Sequence, residues 1–332
     1  MRLLIIVLMM LSTSSFAESN HNADSEAEFI LPTMASPDDS VSEEQDFSET
    51  LSKFPGLAEK IEAQHYAASN PYLLLPHKPN YFMPLTYQSQ INQEEQEEFY
   101  EGIEIDDDTD GEKAKKFEHT EFVFQISIKY IVAENIVGKH SSLAVAYTGK
   151  SFWQAYNSDI SALFRETNHE PEIFLSFRPG VNWSDHMTIG FNHQSNGQVG
   201  NLSRSWNRII FSTAKVWPDQ LLNVRAWYRL PEDEKETPTA MEGDDNPDIQ
   251  KYMGFGDVFY LHKFGEHSIG ITARNNLRPG ENLGSVELDW TFPLPGKMKG
   301  FIQYFNGYGE SLIDYDQYQE RIGVGIKISD WL

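Results

Sequence analysis

The chain has 332 residues, 40% of them hydrophobic, with 50 acidic against 26 basic side chains and a formal net charge of −24. So anionic a chain lacks the cationic face that nucleic acid needs, which excludes nucleic acid as a partner and favours divalent cations. It contains no cysteine, which excludes disulfides, thiolate metal sites, a thiol nucleophile and a lipidated N-terminal cysteine, and leaves histidines, carboxylates and hydroxyls for chemistry.

Residues 1–17 read as a signal peptide: one charge at Arg2, an apolar run over 3–11, then small residues ending at Ala17, too short a run to span a bilayer as a helix. Residues 18–53 are rich in Ser, Glu and Asp with few large apolar groups, the composition of a disordered acidic tail. Residues 54–79 are expected to form an N-terminal periplasmic segment with a short helix between 54 and 68. No later stretch is apolar for the roughly twenty residues that a helical span requires, so the mature chain is either soluble or crosses a membrane with strands.

From residue 80 to 332 every second residue is apolar in segments of about ten, separated by polar or Gly/Pro-rich breaks, the pattern of half-wet strands. The segment 121–130 is the clearest, with Phe122, Phe124, Ile126, Ile128 and Tyr130 on one face and Gln125, Ser127 and Lys129 on the other. Similar runs at 81–87, 143–148, 173–177, 187–193, 207–213, 222–228, 252–262, 267–273, 286–292, 298–306 and 322–328 bring the count to twelve. The connections alternate. Long ones fall at 88–117, 150–168, 195–205, 231–249, 275–283 and 308–319, with acidic runs at 106–110 and 232–245; short ones fall at 179–184, 217–220 and 293–297. An even strand count with long loops on one side and tight turns on the other predicts an all-β fold, a twelve-stranded antiparallel transmembrane β-barrel of the outer membrane. Trp183, Trp217, Trp227, Trp290 and Trp331 are expected at its interfacial girdles. A soluble β-sandwich has the same period and stays open on this pattern alone.

Polar groups interrupt the apolar face in one place. Met187, Ile189, Phe191, His193 and Ser195 share one side of a strand, so the His and Ser continue a lipid-facing row. A hairpin centred on Gly200 pairs positions summing to 400 and sets Asn207, at the head of the row Asn207, Ile209, Phe211, opposite His193. Nucleophile, base and orienting group then stand together, the arrangement in which imidazole takes a hydroxyl proton and a third group fixes its tautomer, with an acyl bond as target. The competing possibility is that His193 and Ser195 face a polar lumen or mark the strand's end at the water interface. A one-residue slip would turn Ile189 and Phe191 inward and set Asn192 and Gln194 in lipid, which burial energetics disfavour.

The motifs Phe191-Asn-His-Gln-Ser-Asn-Gly197 and Ser203-Arg-Ser-Trp-Asn-Arg208, with Tyr147-Thr-Gly-Lys-Ser-Phe-Trp153, Phe164-Arg-Glu-Thr-Asn168, Asp244-Asp-Asn-Pro-Asp248 and Gly307-Tyr-Gly-Glu-Ser-Leu-Ile-Asp314, resemble those of the outer-membrane phospholipase A family of Gram-negative bacteria, from about residue 70 to the C-terminus. The resemblance implies Ser195 as nucleophile, His193 as general base, Asn207 as a neutral orienter, and an oxyanion site at the backbone amide of Gly197 assisted by calcium. It implies calcium ligation by the Ser203 hydroxyl, the backbone carbonyl of Gln198, water, and Ser161 of the partner subunit, hence activity as a homodimer. It further implies cleavage of either acyl ester of phospholipids, and of lysophospholipids, in the outer leaflet. Gly200 and Gly149 depart from the family's pattern, at an acidic loop position and at a polar position of the dimer contact. A passive outer-membrane porin or adhesin barrel, or a soluble periplasmic β-protein, are the competing expectations.

Overall fold

The structure is a computed structural model, and it describes residues 63, 66, 67, 69, 70, 72–92, 117–158, 160–237, 240, 242–296 and 298–329. The expectations for residues 1–53, the acidic run 106–110 and Trp331 lie outside the described residues, as does most of the helix expected over 54–68.

The strands are β1 (Leu75–Pro76), β2 (Asn80–Gln88), β3 (Thr120–Glu134), β4 (Ser142–Trp153), β5 (Phe164–Phe177), β6 (His186–Ser195), β7 (Ser205–Trp217), β8 (Gln220–Arg229), β9 (Gly256–Phe264), β10 (His267–Asn275), β11 (Gly284–Pro293), β12 (Lys299–Tyr308) and β13 (Tyr318–Ser329). Each from β2 to β13 pairs with its sequence neighbour except across the closure, where β13 pairs with β2. All pairings are antiparallel. The two-residue β1 lies along β3 in line with β2, with Leu75 opposite Lys129. The thirteen stretches therefore make twelve staves of a closed barrel, and closure removes every exposed strand edge. Leu75 and Pro76, inside the segment expected to precede the barrel, thus belong to its wall.

Alternation along each strand decides what faces where. On β3, Glu121, Val123, Ser127 and Ile131 are buried while Ile126 and Val132 are exposed. Around the outside, Val145, Ile173, Ile189, Phe211, Val258, Ile271, Leu288 and Val324 are all exposed. An apolar belt of that extent is unstable against water and matches lipid, which separates the barrel from a soluble sandwich. The inside is polar and internally paired. Glu121 receives Arg165 Nε at 2.6 Å and Arg321 Nη1 at 2.8 Å, and those arginines also reach Asp314 and Glu310 at 3.0 and 2.9 Å. Each of these five buried charges has a partner of opposite sign, as a low-dielectric interior requires.

Long and short connections segregate as the sequence predicts, with long ones over 89–119, 154–163, 196–204, 230–255, 276–283 and 309–317. The outer end is filled by an apolar cluster of Trp206, Ile210, Trp227, Leu312 and Tyr315 with Ile249 and Met253 of a short helix, Ile249–Met253. Two expectations are corrected here. The run from 252 begins in that helix, and strand β9 starts only at Gly256. Trp227 is not part of a girdle: it is buried, and its Nε1 donates to the Gly254 carbonyl at 3.0 Å. It lies out of phase with the lipid-facing row Leu222, Val224 and Tyr228, and the helix supplies the apolar seat. Trp183, Trp217 and Trp290 are exposed near the short turns, where amphipathic rings suit a membrane interface.

Candidate active site

Strands β6 and β7 pair in the register sum of 400, with His193 opposite Asn207, Ser195 opposite Ser205, Phe191 opposite Ile209 and Ile189 opposite Phe211. Directly opposed residues share a face. Ile189, Ile209 and Phe211 are exposed on the outside of the barrel, so Ser195, His193 and Asn207 top a lipid-facing apolar stripe on the side of the long loops. They do not face the lumen.

His193 Nδ1 and Asn207 Oδ1 lie 2.9 Å apart. With Nδ1 engaged, Nε2 is the ring atom left for the Ser195 hydroxyl two residues along the same face. No hydrogen bond joins Ser195 to His193 among the described residues. The Asn207 amide is itself fixed: its Nδ2 donates to Glu232 Oε1 at 3.1 Å, leaving Oδ1 for the imidazole. Burial pushes the Glu232 carboxyl above its ordinary value, and the hydrogen bond from Asn207 opposes that rise.

The inner face behind the site is tied down. Arg208 donates from Nε and Nη2 to Asn192 Oδ1 at 3.0 and 2.6 Å, Trp206 Nε1 donates to Gln194 Oε1 at 2.9 Å, and the Arg208 guanidinium lies 3.9 Å from the Trp206 ring centroid. Buried Asn196 shapes the loop that follows. Its Nδ2 donates to the Leu202 carbonyl at 2.8 Å, and its Oδ1 accepts the Gln198 and Arg204 amides at 3.2 and 2.9 Å. Gly197 within that loop has φ 68°, a left-handed conformation that costs a side-chain-bearing residue about 1–2 kcal/mol and turns the backbone just beyond Ser195.

The loop over 230–255 closes on the same end of the hairpin. Ser203 and Ser205 both donate to Asp245 Oδ2, at 2.9 and 3.0 Å, and Lys235 Nζ lies 2.5 Å from the other oxygen. Ser203 and Asp245 thus bring hard oxygens together at the end of the hairpin loop that carries Gln198, oxygens of the kind that calcium takes. Ser161 sits apart, in the loop over 154–163, where its carbonyl accepts Trp153 Nε1 at 2.8 Å. Sequence reasoning gave no role to Glu232, Asp245 or Asn196; the acidic character of the loop over 232–245 pointed towards the first two, and the motif over 244–248 contains Asp245.

A closed membrane barrel carrying a Ser, His, Asn row on its lipid-facing wall defines a class, enzymes built on outer-membrane barrels. Comparison with known proteins is specific. The family model described as Phospholipase A1 matches residues 57–328. Phospholipase A1 of Klebsiella pneumoniae is 34% identical over 265 residues, covering 79% of this chain and 84% of that protein. Outer membrane phospholipase A from Escherichia coli superposes with a TM-score of 0.68 at 32% identity, covering 79% of this chain and 94% of the other. The Salmonella typhi outer membrane phospholipase, a dimer with bound calcium, gives 0.68 at 31% identity over 80% and 96%. The chain belongs to the phospholipase A1 family of outer-membrane barrels.

Proposed function

We propose that this chain hydrolyses acyl esters of phospholipids and lysophospholipids, at either position, from the outer leaflet of the outer membrane. The observation that carries the reading is the 2.9 Å contact of His193 with Asn207 at the head of a lipid-facing stripe. A lipid in the leaflet lays its acyl chain along Ile189, Phe191, Ile209 and Phe211 and brings its ester to Ser195. His193 takes the Ser195 proton as Oγ bonds to the carbonyl carbon, then gives it to the departing alcohol oxygen as the ester C–O bond breaks. Water repeats the cycle on the acyl-serine and releases the fatty acid. Asn207, held by Glu232, keeps the imidazole in the productive tautomer, and the Gly197 amide donates to the developing oxyanion.

The Ser203 hydroxyl and the Gln198 carbonyl, beside Asp245, are the residues of this chain that would hold calcium, completed by Ser161 of the partner subunit. Bound calcium supplies positive charge against the tetrahedral intermediate. Catalysis then depends on a homodimer, so assembly gates activity. The filled outer end of the barrel gives no support to a passive porin.

The test is fatty-acid release from detergent-dispersed phospholipid by purified protein, with calcium and with chelator, beside Ser195→Ala. Calcium-dependent release absent from the variant is the expected result. A folded, dimeric, calcium-loaded wild type that releases nothing contradicts the reading.

A further inference from the structure

A single row of residues crosses four strands at the level of the nucleophile. Gly149 of β4 pairs with His169 of β5, His169 pairs with Ser195 of β6, and Ser195 pairs with Ser205 of β7. Register partners stand on one face, so His169 flanks Ser195 on the side away from Asn207. Gly149 has no Cβ, and the Tyr147 ring lies across the space: a Cβ there would meet Tyr147 Cε1 and Oη at 3.5 Å. The Tyr147 hydroxyl thereby reaches His169 Nδ1, at 2.5 Å. The other edge of the imidazole borders Gly197, where a Cβ would stand 3.7 Å from His169 Cδ2 and 3.8 Å from Nε2.

A phenol hydroxyl on a lipid-facing wall needs an acceptor, and a neutral imidazole has one acceptor nitrogen and one donor. When Tyr147 donates to Nδ1, both polar groups are satisfied and the ring proton resides on Nε2, next to Gly197. The reverse arrangement leaves the phenol proton without a partner. His169 Nε2–H is thus a donor without a protein acceptor among the described residues, directly beside the nucleophile and the amide assigned to the oxyanion.

We propose that His169 is a substrate-contacting catalytic residue, its Nε2–H donating to the ester carbonyl oxygen beside the Gly197 amide, with Tyr147 as the positioning residue that fixes its tautomer. The inference rests on Ser195 being the nucleophile. The general base is His193; His169 forms and breaks no covalent bond, and it strengthens its hydrogen bond as the carbonyl oxygen gains charge.

The experiment measures kcat and KM on dispersed phospholipid with calcium for wild type, Ser195→Ala, His169→Phe, His169→Gln, His169→Asn and Tyr147→Phe, with heat-modifiable gel mobility reporting a folded barrel. His169→Phe should lower kcat by about 100-fold, the usual effect of deleting one oxyanion donor, with KM little changed. His169→Gln, whose amide nitrogen extends towards the place of Nε2, should recover more than His169→Asn, whose amide falls short. Tyr147→Phe should lower kcat by less than His169→Phe does. Wild-type kcat in folded His169→Phe, or equal losses in the Gln and Asn variants, would overturn the proposal by reducing His169 to a packing group. Should His169→Phe not fold, the Gln-to-Asn comparison decides alone. Hydrolysis that survives Ser195→Ala removes the nucleophile reading and this inference with it, whereas a dead Ser195→Ala beside a fully active His169→Phe removes only the inference.

Discussion

His193 Nδ1 faces Asn207 Oδ1 across β6 and β7 at 2.9 Å, and Asn207 Nδ2 is held in turn by Glu232. The asparagine amide is ambiguous in itself, since its two ends are nearly alike in shape. The carboxylate resolves the ambiguity, because only Nδ2 can donate to it. The resulting chain of three residues draws on two neighbouring strands and one long outer loop, so the His193 imidazole is oriented by a part of the fold that also covers the hairpin.

Asn207→Ala removes the orienter and should lower kcat by about 100-fold, by analogy with the large losses when a base histidine loses its tautomer control, while KM stays near the wild-type value. Asn207→Asp brings a second carboxylate against Glu232, so the double variant N207D/E232Q should be more active than N207D alone. Steady-state kinetics of the two variants check the sign; equal activities would mean that Glu232 does not act through position 207.

Glu232→Gln keeps an acceptor for Asn207 and should stay close to wild type in kcat. Its effect on stability depends on pH. The folded carboxyl titrates above its unfolded value because burial disfavours the anion. The stabilising contribution of protonated Glu232 is therefore complete below the unfolded carboxylate range, about pH 4, and is lost as pH rises through the folded value. Unfolding midpoints should show the variant gaining on wild type between acidic and neutral pH. A difference that runs the other way refutes the assignment.

Glu121→Ala removes the carboxylate that Arg165 and Arg321 share inside the barrel, where both are almost fully buried, and leaves them only Asp314 and Glu310. Breaking such a pair costs about 3–5 kcal/mol. Urea unfolding in micelles should show a loss of that order, while the folded fraction keeps its specific activity, since the network does not touch the Ser195 face.

Ser161→Ala should be poorly active, and Ser195→Ala inactive. A mixture of the two should recover activity, because a mixed dimer offers one intact nucleophile facing one intact Ser161 of the partner subunit. Assay after mixing and reassembly checks this; a mixture no better than the sum of its parts would mean that the site is complete within one chain.

The strand-level features were legible from sequence because they are local. Period-two counting and one tight hairpin centred on Gly200 suffice to bring His193 and Asn207 together, and the structure pairs them in that register. Glu232 and Asp245 were not legible, since they arrive on a long loop whose path no short-range pattern fixes. His169 escaped for a related reason: its place beside Ser195 depends on the register of the longer β5–β6 hairpin, and its Tyr147 contact on a glycine on a third strand. Trp227 departs from the girdle expected of its residue type because its phase along β8, one position off the lipid-facing row, points it inward.

The most direct test of the central claim is chemical. Purified protein in calcium is treated with a long-chain alkylsulfonyl fluoride, which captures an activated serine as a stable sulfonate ester, and the modified peptide is located by mass spectrometry. A single adduct on Ser195, lost in His193→Ala and strongly reduced in Asn207→Ala, is the predicted result. Adduct on another serine, or full hydrolysis by protein whose Ser195 is already blocked, would contradict the account.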